Sequence, residues 1–254
     1  MKRILYVLLV FVMILGVGIA TVSAEKEIPD VIKIGMISTI SGEQALDGQN
    51  MTDAIKLVQK ELEASGGLDV DGKKVKIEFV IEDCEAKPEI AVNAAQKLIE
   101  QDHVLAIIGP NNSGDTIASA EISQAAKIPQ ITNTGTNEAV TKVGDYIFRA
   151  CFIDPFQGKV VATFAYDNLK VTKAAAIYDN ADTYSAGLDK AFVDAFEKLG
   201  GTVVANEAFS GAEVKDFSAQ LINIKNAKPE AVFVPAHISN IPLILQQIRG
   251  MGID

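Results

Sequence analysis

Along the chain, short apolar runs alternate with segments whose hydrophobic residues have helical spacing. This pattern predicts strands and helices in alternation. Residues 104–108 form a short run that is apolar throughout, as in a strand buried on both faces of a parallel sheet. After a polar loop, Ala118, Ile122 and Ala125 recur at i, i+4 and i+7, which predicts a helix that ends near Lys127. Strand, loop and helix therefore form the unit from which the chain is built.

The same periods predict the other elements of residues 25–150. A helix is expected at 51–64, and the inner face of another is marked by four apolar residues, Ala91, Ala94, Ala95 and Leu98. Residues 39–50 read as a polar loop, and a turn at 70–73 leaves open a small hairpin. Strands are expected at 31–38, 74–81, 129–132 and 146–149. This alternation implies parallel strands with right-handed crossovers.

Residues 151–155 break this rhythm, and a second series follows. Its predicted strands are 172–178, 202–208 and 231–235, and its predicted helices are 156–169, 186–199, 217–226 and 241–250. The predicted fold is α/β, with two doubly wound parallel-sheet lobes and a ligand cleft between them. We assign residues 1–24 to a signal peptide, 25–150 to the first lobe and 151–254 to the second.

The second lobe is expected to be incomplete, with its C-terminal part missing, because the alternation stops where another strand should follow. The apolar face of its last helix and one sheet edge would then stay exposed.

The N-terminus has the pattern of an export signal. Lys2 and Arg3 precede an apolar run over residues 4–20, and small residues at 22–24 offer a cleavage site. The run is also long enough to leave an uncleaved membrane anchor open. Either way, the protein is expected outside the cytoplasmic membrane, at the periplasmic or extracellular face.

Composition and charge narrow the class of partner. The chain has 254 residues, of which 48% are hydrophobic and 22% charged, as in a folded globular protein. The first 24 residues hold two of its 23 basic residues and none of its 33 acidic ones, so the remainder carries a net charge of −12. Such a surface repels nucleic acid and anionic lipid.

Cysteines and histidines are too few for a disulfide framework or a metal site. Cys84 and Cys151 follow strands that we expect roughly 19 Å apart, from strand spacings of about 4.8 Å. A disulfide needs Cα atoms within about 7 Å. His103 and His237 have no Cys or His at ligand spacing, so no metal is predicted.

Enzyme motifs and cofactor motifs are absent as well. The sequence Gly-x-Gly occurs at residues 16–18 of the signal peptide and at 250–252, where it follows a predicted helix and not a strand, so neither is a dinucleotide fingerprint. No Walker loop is found, and no cofactor is predicted. The surroundings of Ser113 lack both glycines of a nucleophile elbow. The sequence therefore argues against a secreted hydrolase.

Ser113 stands where a helix N-cap belongs, after the strand at 104–108. Free backbone N–H groups, the helix dipole and this hydroxyl together suit a small anion such as a carboxylate. The alternative is that Ser113 only caps its own helix. Residues 133–136 follow the next strand, so their loop opens at the same carboxyl edge, where open α/β sheets bind ligands.

Six segments together resemble the branched-chain amino acid (Leu/Ile/Val) subgroup of the type I periplasmic, or extracytoplasmic, solute-binding proteins. They occur in the order and spacing of that family, over the whole mature chain: SGEQALDGQN, GGLDVDGKKVKIEFVIED, KPEIAVNAAQKLIEQDHVLAIIGPNNSGDT, IPQITNTGTNEAVT, YIFRACFIDPFQGKVVA and KAAAIYDNADTYSAGL. The resemblance implies a protein that is not an enzyme. It would capture a ligand between its lobes and deliver it to an ABC importer.

The resemblance also implies five ligand-binding residues. The serine that takes the ligand's α-carboxylate falls on Ser113. A backbone carbonyl and a threonine of the next loop fall on Thr134 and Thr136. The closing aromatic residue of the second lobe falls on Tyr184, and a further aromatic residue, usually tyrosine, falls near His237. The acidic partner of the ligand's ammonium group would fall beyond the last residue.

Some alternatives stay open. Tyr184 could instead cap the next helix, His237 could be a solvated loop residue, and Glu43 and Asp47 are interpreted as surface charges. The departure at His237 leaves the side chain of the ligand undecided. The expected partners are an amino acid or a similar carboxylate or amide, and the membrane permease of an ABC importer, with the protein itself a monomer. A sensory module presented to a membrane receptor is the alternative function.

Overall fold

The computed structural model describes residues 27–42 and 44–253. The predicted signal peptide and Glu43 lie outside the described residues, as does Asp254. The first lobe is built on a six-stranded sheet in the order β2-β3-β1-β4-β5-β6. Its strands are β1 Val31–Ser38, β2 Leu68–Val70, β3 Lys73–Asp83, β4 Ala106–Ile108, β5 Gln130–Thr132 and β6 Ile147–Arg149. The hairpin partners β2 and β3 are antiparallel, and every other neighbouring pair is parallel.

Three helices cover this sheet: α1 Ala45–Ala64, α2 Pro88–Glu100 and α3 Ser113–Ala126. A short 3₁₀ turn, Val140–Lys142, precedes β6. The first core lies between the sheet and helices α2 and α3, and it includes Ile37, Leu98 and Ile107, none of them exposed. The four positions predicted for the inner face of α2 are all buried, as the apolar spacing requires.

The second lobe has a parallel three-stranded sheet in the order β8-β7-β9. Its strands are β7 Lys173–Asp179, β8 Thr202–Phe209 and β9 Ala231–Phe233. Its helices are α4 Asp154–Thr163, continued by a π-helical turn at Phe164–Asn168, α5 Thr183–Lys198, α6 Ser218–Ala227 and α7 Ile241–Gly250. Two clusters pack on β7, one with Phe192 and Phe196 of α5, the other with Leu221 of α6 and Ile244 of α7.

The predicted order of strands and helices is confirmed, and the element boundaries differ in a few places. Helix α1 begins at Ala45, so the second half of the loop predicted at 39–50 is helical. The reason is tertiary: a Cβ atom at Gly48 would lie 1.8 Å from the carbonyl oxygen of Thr39, so glycine lets the helix approach the end of β1. The pair Asp47-Gly48, a sequence that is common in turns, instead marks this close contact.

Two expectations for the second lobe are wrong. Tyr184 lies in the first turn of α5 rather than in a loop, because Asp182 caps that helix by accepting a hydrogen bond from the backbone N–H of Ser185 at 2.7 Å. The face of α7 that carries Ile244 and Ile248 is buried in the core of this lobe, contrary to expectation, whereas Leu245 of the same helix is 47% exposed.

In both sheets the strand order reverses next to the first strand of the lobe. The chain moves from β1 outward to β3 and returns across to β4, and it moves from β7 to β8 and returns to β9. At such a reversal the two crossover helices lie on opposite faces of the sheet, which opens a crevice at the carboxyl ends of the strands.

In the part of the chain that the structure describes, no helix combines the length and the apolar character that a membrane crossing needs.

The contact between Gly48 and Thr39 predicts that Gly48→Ala destabilises the protein. The added methyl group must displace backbone, so the free energy of unfolding should fall by about 1–3 kcal/mol, as in other overpacked sites. Gly250→Ala is the matched control, because a Cβ atom at that end of α7 meets nothing within 4 Å. Urea unfolding of both variants measures the difference. A Gly48→Ala protein as stable as wild type would mean that α1 does not approach β1 this closely.

Candidate functional site

A cleft of about 710 Å³ opens between the two lobes, at the carboxyl ends of both sheets. All five residues predicted to bind ligand line it: Ser113, Thr134, Thr136, Tyr184 and His237. The first three come from the loops after β4 and β5, and the other two follow β7 and β9. The structure thus brings the five together, while their part in ligand binding stays a prediction.

Ser113 is the first residue of α3 and not its N-cap, so the predicted cap position was wrong by one residue. Asn112 occupies the N-cap with extended backbone and makes no capping bond through its side chain. The Ser113 hydroxyl oxygen accepts a hydrogen bond from the backbone N–H of Asn137 at 3.2 Å. It therefore joins the two loops of the first lobe and does not satisfy its own helix, whose first N–H groups have no intrahelical acceptor.

The two threonines of the second loop have different environments. The Thr134 hydroxyl donates to the backbone carbonyl of Asn111 at 2.7 Å, which ties the loop after β5 to the loop after β4. Thr136 is only 6% exposed, and its hydroxyl oxygen has no hydrogen-bond partner among the described residues. The hydroxyl lies near the carboxyl group of Asp154, where it acts against the rise that burial causes in the pKa of that carboxyl group.

Tyr184 and His237 form the wall that the second lobe contributes. Their ring centroids are 5.2 Å apart with the planes inclined by 41°. The Nε2 atom of His237 lies 3.3 Å from Oδ1 of Asp182, without the directed geometry of a hydrogen bond, so the contact is electrostatic. Because Asp182 also caps α5, one carboxylate positions both Tyr184 and His237.

The charges around His237 shift each other's pKa values. Burial acts to lower the pKa of His237, but the carboxylates of Asp182, Asp47 and Asp115 outweigh it and hold the pKa above its usual value. Burial acts to raise the pKa of Asp182, yet His237 and backbone N–H groups keep it below its usual value. Burial raises the pKa of Asp115 to about 6, against a hydrogen bond from Asn112.

Sequence reasoning missed one wall of the cleft, the face of α1. Asp47, Asn50, Met51 and Ala54 all line the cavity. Their spacing of three, one and three residues is that of a single helical face. The signal was present in the sequence, but the assignment of residues 39–50 to a loop hid it and left Asp47 as a surface charge.

A second cavity of about 590 Å³ lies along the outer surfaces of α4 and α5. Its rim carries Lys159, Lys190 and Lys198, which belong to the exposed sides of these helices. Loops at strand ends, hydroxyl groups and aromatic side chains converge on the interlobe cleft instead. We therefore take the cleft as the candidate site.

Within residues 27–42 and 44–253, no group of three or more His, Cys, Asp and Glu side chains is arranged to hold a metal ion. Both cysteines are free, and burial raises the pKa of the Cys84 thiol to about 11.

The comparisons with known proteins agree on one family. The sequence profile described as periplasmic binding protein matches residues 31–254. An amino acid binding protein of Pseudomonas aeruginosa is 31% identical over 223 residues, which is 87% of this chain and 58% of that protein.

Two solved structures are similar over most of the chain. The branched-chain amino acid transporter substrate binding protein LivJ of Streptococcus pneumoniae, in complex with isoleucine, has a TM-score of 0.80 and 34% identity over 88% of this chain and 62% of its own. A solute binding protein of an ABC transporter from Rhodopseudomonas palustris, in complex with 3,4-dihydroxybenzoic acid, has a TM-score of 0.78 and 27% identity over 89% and 60%. The chain thus spans between 58% and 62% of the length of these relatives.

The raised pKa of Asp115 predicts a pH dependence of stability. In the folded state its pKa is about 6, against an ordinary 3.8, so the folded protein holds this proton more tightly than the unfolded chain. The free energy of unfolding of the wild type, relative to that of an Asp115→Asn variant, should therefore fall by about 2 kcal/mol as the pH rises from about 4 to about 6. Above that pH the difference should level off.

Urea unfolding of both proteins at several pH values measures this difference. Asp53→Asn is the control, because Asp53 is exposed on α1 and its pair with Lys56 lowers its pKa, the opposite direction. A wild-type protein that gains stability over Asp115→Asn across this range would show that Asp115 is not buried as described.

Proposed function

Because the chain belongs to the periplasmic binding protein family, we propose that it captures an amino acid or a similar small carboxylate between its two lobes for an ABC importer. One observation carries this proposal: five residues chosen from sequence, out of both lobes, converge on one cleft at the two points where strand order reverses. Open α/β sheets bind their ligands at such points.

The first lobe supplies the features that a carboxylate needs. Helix α3 directs its N-terminus toward the cleft through Asn112 and Ser113, and helix N-termini favour anions through their free N–H groups and their dipole. The two ligands bound to the similar structures, isoleucine and 3,4-dihydroxybenzoic acid, differ in most respects but share a carboxylate. We infer that the ligand's carboxylate docks on the Ser113 hydroxyl and on these N–H groups.

The loop after β5 would bind the other polar group of an amino acid. The unpartnered Thr136 hydroxyl can accept a hydrogen bond from an ammonium group, and the Thr134 carbonyl can accept another. Both residues belong to the lobe that carries Ser113, so the ligand's backbone would be held on one lobe before the other arrives.

The second lobe would then close over the ligand. Tyr184 and His237 would contact the ligand only when the lobes are together, and such contacts shift the equilibrium toward the closed form. We propose that the first lobe spans residues 25–150 and the second 151–254, with the crossing between them at 151–155. In this arrangement closure is a rotation about that crossing.

We further propose that the protein acts outside the cytoplasmic membrane, as a monomer, and transfers its ligand to a membrane permease. Its family supports the location, and the predicted signal peptide at 1–24 supports export. Calorimetry with a panel of amino acids and aromatic carboxylates tests the proposal as a whole, and a protein that binds none of them would contradict it.

Ser113→Ala is expected to weaken binding of the best ligand about ten- to a hundredfold, because it removes a charge-assisted hydrogen bond of about 1.5–3 kcal/mol. Ser119→Ala is the matched control: Ser119 lies on the same helix and is equally buried, but its hydroxyl bonds to backbone and to Gln130 and it does not line the cleft. The control should lose stability and keep its affinity. Equal affinities for Ser113→Ala and wild type would remove Ser113 from the site.

Tyr184→Ala is expected to increase the dissociation rate of the ligand and to leave the association rate nearly unchanged. The reason is that Tyr184 belongs to the lobe that arrives second, so its contacts form after capture. Stopped-flow fluorescence separates the two rates. The order of events would be wrong if the whole loss of affinity lay in the association rate.

A further inference from the structure

The end of the cleft formed by α1 and His237 is acidic. Asp47 lines the cavity from the first turn of α1; among the described residues its carboxylate makes no hydrogen bond or ion pair, and it acts electrostatically on His237, whose pKa it helps to raise. Asp115 and Asp182 lie behind His237 in an adjoining cavity of about 190 Å³, which shares Asn112 and His237 with the cleft. Three carboxyl groups thus surround a single imidazole.

Basic side chains do not balance this charge. Within the described residues, neither a lysine nor an arginine lines the cleft. His237 is already engaged by Asp182 at 3.3 Å, so it neutralises at most that one carboxylate. Asn50 and Asn111 add further polar atoms to the lining near α1. Asp47 therefore faces the cleft beside an imidazole that Asp182 already engages, and no lysine or arginine of the described lining is paired with it.

An aliphatic ligand would fit this end poorly. On closure it would remove the Asp47 carboxylate from water and give it no hydrogen bond in return, and an unpaired buried charge is costly. A ligand group with N–H donors would instead form a charge-assisted hydrogen bond there. A site that hydrogen-bonds its ligand also discriminates strongly against an analogue that lacks the donor.

We propose that Asp47 makes this cleft selective for an amino acid whose side chain ends in a nitrogen donor, an amide or a cationic group, over a branched aliphatic one. This inference rests on the proposed function, because it assumes that the ligand's carboxylate docks at Ser113 and its side chain extends toward α1. The inference goes beyond the proposed function because it assigns the class of side chain that the ligand carries and the residue that selects this side chain.

The test is titration calorimetry on the protein as encoded by its gene, with glutamine, asparagine, lysine, arginine, leucine and isoleucine. We expect the best nitrogen-bearing ligand to bind at least about tenfold more tightly than leucine. Asp47→Asn should narrow this gap by weakening the nitrogen-bearing ligand while leaving leucine unchanged. Asp53→Asn is the matched control and should change neither affinity. Asp53 lies on the same helix, but it is exposed and forms an ion pair with Lys56.

Asp47→Leu supplies a variant whose expected effect is a gain. It should raise the affinity for leucine and abolish the preference for nitrogen donors, and a misfolded protein cannot gain affinity. The proposed selectivity is overturned if the wild type binds leucine more tightly than every nitrogen-bearing ligand. It is also overturned if Asp47→Asn keeps the preference of the wild type. Both outcomes leave the proposed function standing. Failure to bind any of these amino acids would also overturn the selectivity, and failure to bind aromatic carboxylates as well would contradict the proposed function itself.

Discussion

The reversal of strand order in each sheet decides where polar groups can gather in this protein. Beside β1 and again beside β7 the chain departs to both sides, so no helix covers the crevice at the strand ends. Loops that end there expose backbone and side-chain groups that secondary structure does not satisfy. With the two crevices facing each other, the cleft collects such groups from four loops and from the start of α1 and α5.

The cleft is electrically asymmetric: within one turn of α3, a region that favours anions is followed by an acidic region. Ser113 begins that turn and joins the loop of Asn137, where the helix N-terminus favours an anion. Asp115, two residues later, is buried with its carboxylate hydrogen-bonded to Asn112 and lies near Asp182 of the other lobe. A ligand that carries a carboxylate at one end and hydrogen-bond donors at the other matches this asymmetry in one orientation only.

Sequence pattern predicted the strands and most helices because burial on a parallel sheet leaves short apolar runs, while the lobe boundary at residues 151–155 stays a prediction. It failed where a tertiary contact decides the local structure. Helix α1 starts early because Gly48 packs on Thr39, which no local propensity reveals. That error hid Asp47, whereas Tyr184 was identified as a candidate although the helix it belongs to was predicted to begin later.

Two opposing interactions act between the lobes: a few direct contacts attract them, and acidic side chains repel each other. Asn137 donates to the Thr183 carbonyl at 3.1 Å, and the backbone of Gly114 packs near the Thr183 side chain, which is a small area of direct contact. Asp115 and Asp182 approach each other across the same junction, and each raises the cost of charging the other. His237 offsets part of this cost. In the function proposed above, the remaining stabilisation of the closed form comes from groups of the ligand, and this would couple closure to capture.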